Sequence, residues 1–305
     1  MKKEKTTQPI FLTCIILTTV FMGSSFPTGK YLISIEHIPP FLLGGWRFLC
    51  AGFIMILWTV MRRGKRSIFP TSQGSLKKGF FLVTLIGLLQ TTGTMGFLNL
   101  AMSVGLSSSM SSIILFTNPL WLALLAHFLL NEKLNIFKIF SLILGISGVI
   151  TCLGLDRSAL GIGAAFALIG AFCWAINTVV TKKIPFDQGA FIFTGWQLLI
   201  GGAIMLVISL FLHENYHFER LSALGWLWFV WLIVPASVGS FGLWFSSLNQ
   251  RGATLASSFL FLVPLFSTLF SLIGLHEKFS IGLLFGGLLI VLSLIFVNKN
   301  PNKSR

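Results

Sequence analysis

Two stretches of the chain, SSSMSSIILFTNPLWLALLAHFLLNEK at 107–133 and GATLASSFLFLVPLFSTLFSLIGLHEK at 252–278, align without a gap and share nine identities in 27 positions. Matched leucines carry little weight in so apolar a chain, but the pairs Pro119/Pro264, Glu132/Glu277 and Lys133/Lys278 do. A second match, FLLGGWRFLCAGFIM at 41–55 with FIFTGWQLLIGGAIM at 191–205, sets Trp46 on Trp196 and Gly52 on Gly202. The chain is therefore an internal duplication, and any fold must house one unit twice.

The unit is not a soluble one. Of 305 residues, 55% are hydrophobic and only 10% are charged, with a mean hydropathy of +0.89. A soluble domain carries about a quarter charged residues, so this composition cannot cover a water-facing surface. Apolar segments near the length of a spanning helix recur throughout, and ten spans are predicted, at about 10–30, 40–61, 79–99, 107–130, 136–154, 159–181, 189–212, 222–246, 252–273 and 279–297. The first of these reads as an uncleaved span, because no small-x-small cleavage site precedes a soluble domain. Cys14, Cys50, Cys152 and Cys173 lie in or beside apolar spans without CxxC pairing and read as small hydrophobes.

A net charge of +14 would point to nucleic acid in a soluble protein. Here the basic residues fall between spans, where they set topology, so no nucleic-acid partner is expected. With the N-terminus inside, seventeen Lys and Arg fall in cytoplasmic segments, chiefly the tails and the loop RRGKRSIFPTSQGSLKK at 62–78, against three outside (Arg157, Arg220 and Lys278). Both termini are then expected to be cytoplasmic. The second match pairs span 2 with span 7 and the first pairs span 4 with span 9. Each repeat thus has five spans, an odd number, and the copies enter the bilayer with opposite orientation. The expected fold is an all-α polytopic membrane protein of ten transmembrane helices in two inverted five-helix repeats, 1–155 and 156–305. Inverted repeats are a common plan of secondary transporters, in which two pseudo-symmetric halves rock around one site.

The chain resembles the ten-helix, EamA-type members of the drug/metabolite transporter superfamily over essentially its full length. The resemblance is carried by Gly23-Ser24-Ser25-Phe26 ending in Lys30, by Trp46-Arg47-Phe48, by Pro119-Leu120 and Pro264-Leu265, by the Glu-Lys stops, and by Cys173-Trp174-Ala175-Ile176-Asn177. Met22 departs from the family, which often has tryptophan there. The resemblance implies spans 5 and 10 at the periphery, a central cavity, and an exporter of amino acids, related metabolites or drugs in the cell membrane.

Candidate site residues follow from what is expensive in lipid. Pro119 and Pro264 remove a backbone hydrogen bond at matched places, and paired interruptions of equivalent spans point to a transporter's site. Arg47 lies about 10 Å below the outer end of span 2 at 1.5 Å per residue. A charge so deep faces the bundle interior, as an anchor for a carboxylate or phosphate or as a tie to carbonyls. Gln197 occupies the mirrored place and can bond a ligand or a neighbouring helix. Asn118 and Asn177 read as ligand contacts, and Gln90 and Asn99 equally as helix ties, since buried polar atoms need partners. Trp174 and Trp196, with Trp46 and Trp244, are candidates to line an apolar cavity. His127 reads as an interfacial histidine or a proton carrier. Gly282 and Gly286, with Gly145 and Gly148, allow close helix contact within the chain or in a dimer.

All eight acids, Glu4, Glu36, Glu132, Asp156, Asp187, Glu214, Glu219 and Glu277, fall in tails, loops or helix ends. Proton- and sodium-coupled carriers usually keep one at mid-depth, so facilitated exchange or export down a gradient is favoured. No G-x-x-x-x-G-K-[ST] loop is present for ATP. His213-Glu214-Asn215-Tyr216-His217 matches HExxH, which binds zinc only when a helix presents both histidines on one face. The expectation is a transporter of a small-molecule solute in a lipid bilayer, not an enzyme, with no cofactor or metal. A membrane metalloprotease using residues 213–217 and a non-transporting scaffold are the alternatives.

Overall fold

The structure is a computed structural model and describes residues 2–63, 68–130, 136–153, 161–182, 189–251, 256, 259–277 and 281–297. Among them no strand occurs, only an isolated bridge between Ser72 and Ser75. Span 1 is Lys2–Ser34, span 2 Pro40–Arg63, span 5 Ile136–Leu153, span 6 Ile162–Lys182, span 7 Ala190–Phe211 and span 10 Ile281–Val297. The other four are interrupted. Span 3, Leu76–Ser103, carries a π-helical stretch at Gly87–Gly96. Span 4 is two helices, Ser108–Leu115 and Asn118–Leu130. Span 8 runs through Ala223–Ile233, a π-helical Val234–Gly239 and Ser240–Arg251. Span 9 is a 3-10 turn, Phe259–Phe261, continued by Leu262–Gly274. Seven described helices are long and apolar enough to cross a bilayer, and Ile139–Thr151, Leu262–Gly274 and Ile281–Ser293 are shorter apolar ones. The protein is a multi-pass helical membrane protein.

The inverted relation of the halves is written in the contact between spans 2 and 7. A Cβ added to Gly52 would stand 2.5 Å from the Gly195 carbonyl oxygen and from the Leu199 amide nitrogen. One added to Gly202 would stand 2.5 Å from the Leu49 amide nitrogen and 2.9 Å from the Gly45 oxygen. Gly45 likewise abuts Leu206, and Gly195 abuts Ile56. In the register that sets Trp46 on Trp196, Gly45 matches Gly195, Leu49 matches Leu199, Gly52 matches Gly202 and Ile56 matches Leu206. Each contact thus has its mirror image in another, as in an isologous interface. The partner number falls as the residue number rises, so the spans are antiparallel and the two-fold axis lies in the membrane plane. Glycine is required here because backbone meets backbone.

Spans 5 and 10 pair at the periphery. The Ser293 hydroxyl donates to the Ser141 carbonyl at 2.7 Å, and a Cβ on Gly148 would meet the Gly286 oxygen at 2.8 Å. The small residues of these spans therefore serve contact within the chain. Their other faces, including Ile143, Ile146, Leu288 and Leu292, are exposed. One apolar cluster runs through the interior, with Phe26, Phe48, Phe116, Leu198, Ile233 and Val263 buried in it and Trp174 and Trp231 packed against it.

Candidate functional site

The repeat prolines each stand in the first turn of an α-helical piece, after a break in span 4 and after a change from 3-10 to α winding in span 9. Span 4 closes its first helix through bonds from the Phe116 amide to the Ser112 carbonyl and from the Thr117 amide to the Ile114 carbonyl, then restarts at Asn118. Pro119 is the second residue of the new helix and Pro264 the third of Leu262–Gly274. A missing N–H costs nothing in a first helical turn, so proline starts each inner piece instead of bending a continuous rod. The 3-10 turn of span 9 precedes Pro264 as the Phe116–Thr117 break precedes Pro119.

The π-helical stretches also fall in equivalent spans, and each meets the other half. Arg47, 8% exposed, donates from Nε to the Ser237 hydroxyl at 3.0 Å, inside the π stretch of span 8. Its guanidinium carbon lies 4.6 Å from the Phe48 ring centroid. At the mirrored place Gln197, 7% exposed, accepts through its backbone carbonyl from the Thr91 hydroxyl at 3.4 Å, inside the π stretch of span 3. Thr92 adds a bond to the Gly201 carbonyl at 3.0 Å. Widened π turns present carbonyls and hydroxyls sideways and recur at functional sites.

Around the span 4 break the structure gathers several expected residues. Phe116 meets Trp174 edge-on at 5.6 Å. Asn118 is buried, and Pro119 is half-buried. Asn177, one turn from Trp174, donates to the Gln90 side chain at 2.9 Å, and its own Oδ1 is buried without a partner among the described residues. Asn99 instead ties spans, bonding the Pro40 carbonyl at 3.1 Å.

Other expected residues lie elsewhere. Trp196 donates its indole N–H to the Ile68 carbonyl at 2.6 Å and packs edge-on against Phe80, tying down the 68–75 segment. Trp46 is 40% exposed. Trp244 packs with Phe11, Ile15 and Ala256. Pro264 fronts an apolar groove of about 600 Å³ between spans 9 and 10, beside the exposed Leu265 and Leu269. His127 lies near the end of its helix with its ring 5.1 Å from that of Phe128.

Sequence reasoning missed a set of carboxylate caps. Helix N-termini carry unsatisfied N–H groups and partial positive charge. At one end of the bundle, three such termini receive a glutamate from the opposite half. Glu277, after span 9, accepts from the Ser108 amide and hydroxyl, both at 2.7 Å, and from the Ser109 hydroxyl at 2.7 Å and amide at 3.3 Å, at the start of span 4. Glu214, after span 7, accepts from the Leu42 amide at 2.8 Å and the Phe41 amide at 3.4 Å, at the start of span 2. Glu36, after span 1, accepts from the Ser222 hydroxyl and from its amide at 3.4 Å, at the start of span 8. Lys30 reaches the Met102 carbonyl at 2.7 Å at the same end, which we term the acidic face.

Each glutamate is aimed by a left-handed neighbour: His37 at φ 58°, His213 at φ 53° and His276 at φ 50°. A non-glycine residue there costs about 1–2 kcal/mol. The signal was in the sequence, since three of the five histidines adjoin a glutamate just after spans 1, 7 and 9. The HExxH match is one of these pairs. Residues 213–217 form no helix, His213 is left-handed, and Glu214 is engaged with span 2. Among the described residues no group of three or more metal-ligating side chains gathers. Burial, with Glu36 nearby, pushes the Tyr216 phenol in that loop up from its ordinary value.

Comparison with known proteins agrees with this architecture. The model of the EamA-like transporter family matches twice, over residues 10–154 and 161–299. The uncharacterized transporter YoaV of Bacillus subtilis is 31% identical over 295 residues, covering 93% of this chain and 94% of its own. The uncharacterized transporter YvbV of the same organism is 30% identical, covering 100% and 96%. A WAT1-related chloroplastic protein of Arabidopsis thaliana is 28% identical over 94% of this chain and 69% of its own. A solved crystal structure superposes with a TM-score of 0.62 at 20% identity, covering 96% of this chain and 97% of the other, and shares the fold.

Proposed function

The chain belongs to the EamA-like transporter family, and from that membership we propose that it is a secondary transporter carrying a small organic metabolite out of the cell by alternating access. The two five-span halves, 1–155 and 156–305, rock about the mirrored contact of spans 2 and 7. Amino acids and related solutes are the cargo class. Both termini face the cytoplasm, which makes the acidic face the outer one. In this reading the cargo lies between Arg47 on one side and Asn118, Trp174 and Asn177 on the other, with Gln197 at the mirrored place and Pro119 and Pro264 starting the movable pieces.

The observation that carries the proposal is that all three carboxylate caps on the acidic face join one half to the other. Bonds that only tie the rims of two rockable bodies together are what a closed outer gate consists of. The relatives' names, transporters in both Bacillus cases, support a carrier over an enzyme.

Overexpression in a bacterium challenged with a panel of toxic amino acids and analogues should give resistance to one group of them, and the purified protein should release that solute from preloaded proteoliposomes. Resistance without flux, or flux unaltered when the Glu277 cap is removed, would overturn the reading.

A further inference from the structure

We infer that Arg47 seats an oxyanion of the transported solute, a carboxylate or a phosphate, in a site completed only when cargo is bound; the inference rests on the transporter reading above. Arg47 is 8% exposed within span 2. Among the described residues its guanidinium makes a single side-chain bond, from Nε to Ser237. Ser237 has no more to give, because its proton is donated to the Leu232 carbonyl at 2.7 Å. The two terminal nitrogens, which present one N–H each side by side on the outer edge of a planar fork, are left in the geometry that grips an oxyanion with two parallel bonds. Phe48 beneath the guanidinium holds its plane without neutralising it.

Among the described residues no carboxylate serves as counter-ion. The chain has eight acids, all in tails, loops or helix ends by sequence. Glu36, Glu214 and Glu277 are committed to helix N-termini on the acidic face, and Glu219 lies exposed in the loop before span 8. A buried charge with no partner is costly, and the fold itself does not demand one at this place. The mirrored residue, Gln197, is equally buried and neutral, and it meets the equivalent π stretch through its backbone carbonyl. The repeat thus holds an uncharged side chain at the same place, so the charge on the Arg47 side is there for something that arrives with the opposite sign.

The test uses the full chain in nanodiscs and charge-differing isosteres: benzoate against benzamide, acetate against acetamide, and inorganic phosphate. Benzoate or acetate, but not its amide, should raise the melting temperature and quench the tryptophan fluorescence; a response to phosphate alone assigns the anion as phosphate instead. Arg47→Gln should weaken the responding anion roughly ten- to hundredfold, the loss expected for a charge-assisted pair, and Arg47→Lys should retain part of the response. Ser237→Ala, which leaves the guanidinium in place, should keep charge discrimination and guards against misfolding of the Gln variant. Equal responses to acid and amide, no response to any of the three anions, or an unchanged response in folded Arg47→Gln would overturn the site. Arg47-dependent binding without flux in proteoliposomes would leave the site standing and sink the transporter reading alone.

Discussion

Replacing Glu277 by alanine should unlatch the acidic face. The carboxylate takes four bonds from Ser108 and Ser109. The Ser108 hydroxyl has a second partner, the Ser271 hydroxyl at 2.7 Å, but Ser109 is buried, so the loss falls on its hydroxyl, on the two amides and on the helix charge. Removing an N-terminal cap costs about 0.5–2 kcal/mol, and removing an anion from a helix N-terminus a further 0.3–1 kcal/mol or so. Ser107 keeps its own bond from the Met110 amide at 3.1 Å, so the helix survives. The sum, roughly 1–3 kcal/mol, shifts the closed-to-open ratio by about five- to a hundredfold at 1.4 kcal/mol per decade. In a cysteine-free background, Thr28→Cys is the reporter, since Thr28 is 6% exposed and two residues from Lys30 on span 1. A membrane-impermeant maleimide applied to intact cells should label it faster by that factor in Glu277→Ala. Glu277→Gln, which keeps one acceptor oxygen, should show a smaller increase. An unchanged labelling rate in a variant of normal thermal stability would refute the latch, and so would faster labelling that merely follows unfolding.

His276→Gly should remove about 1 kcal/mol of left-handed strain and tighten the same latch, raising the melting temperature by a few degrees while slowing both Thr28→Cys labelling and transport. Gly52→Ala and Gly202→Ala should each abolish folded protein, read as loss of a monodisperse peak in size-exclusion chromatography, because both Cβ atoms would stand 2.5 Å from opposing backbone; loss in one and tolerance in the other would contradict the mirrored contact. Trp196→Phe should lower stability by about 1 kcal/mol, the net worth of its bond to Ile68, and leave transport rates within twofold; a large loss of flux would return Trp196 to the cargo path. Pro119→Ala should slow transport more than it lowers expression, and equal losses would count against a role for the break.

The large features were legible because they are repetitive. Apolar length located the spans, and the matched Trp46 and Trp196 gave the register in which the contacts of Gly45, Gly52, Gly195 and Gly202 between spans 2 and 7 pair with their mirrors. Proline placed the interruptions of spans 4 and 9 to within a few residues, and Pro235 stands in the π stretch of span 8, while the π stretch of span 3 left no mark, since its widening depends on what packs beside it. The same limit hid the carboxylate caps. A helix N-terminus announces that it needs an acceptor, but the acceptor for Ser108 stands 169 residues away. Glu277 and Glu214 therefore read as stray charges at helix ends, and His213-Glu214 as a fragment of a zinc motif. Trp196 shows where symmetry misleads. Its backbone place is that of Trp46, but only one of the two has a long loop, 68–75, folded against it.

In the proposed transporter the latch and the cargo side are joined by one short element. The helix Ser108–Leu115 begins at the Glu277 cap and ends at the Phe116–Thr117 break, where Phe116 meets Trp174 and the chain turns into Asn118. At 1.5 Å per residue it is a rod of about 12 Å, held at its acidic-face end by a carboxylate from the other half and ending at the break. Ser112 and Thr117 define that break by bonding back to the Ser109 and Ile114 carbonyls at 2.7 and 2.6 Å. A continuous helix would spread a displacement at Ser108 along the whole span. In the proposed transporter a capped rod with a break beneath it would deliver the displacement to the residues around Trp174, and a solute pressing there would be felt at the cap. Alternating access by that route would need no acid at mid-depth, because the carboxylates proposed to hold the gate lie at the rim and the rod would carry their state inward.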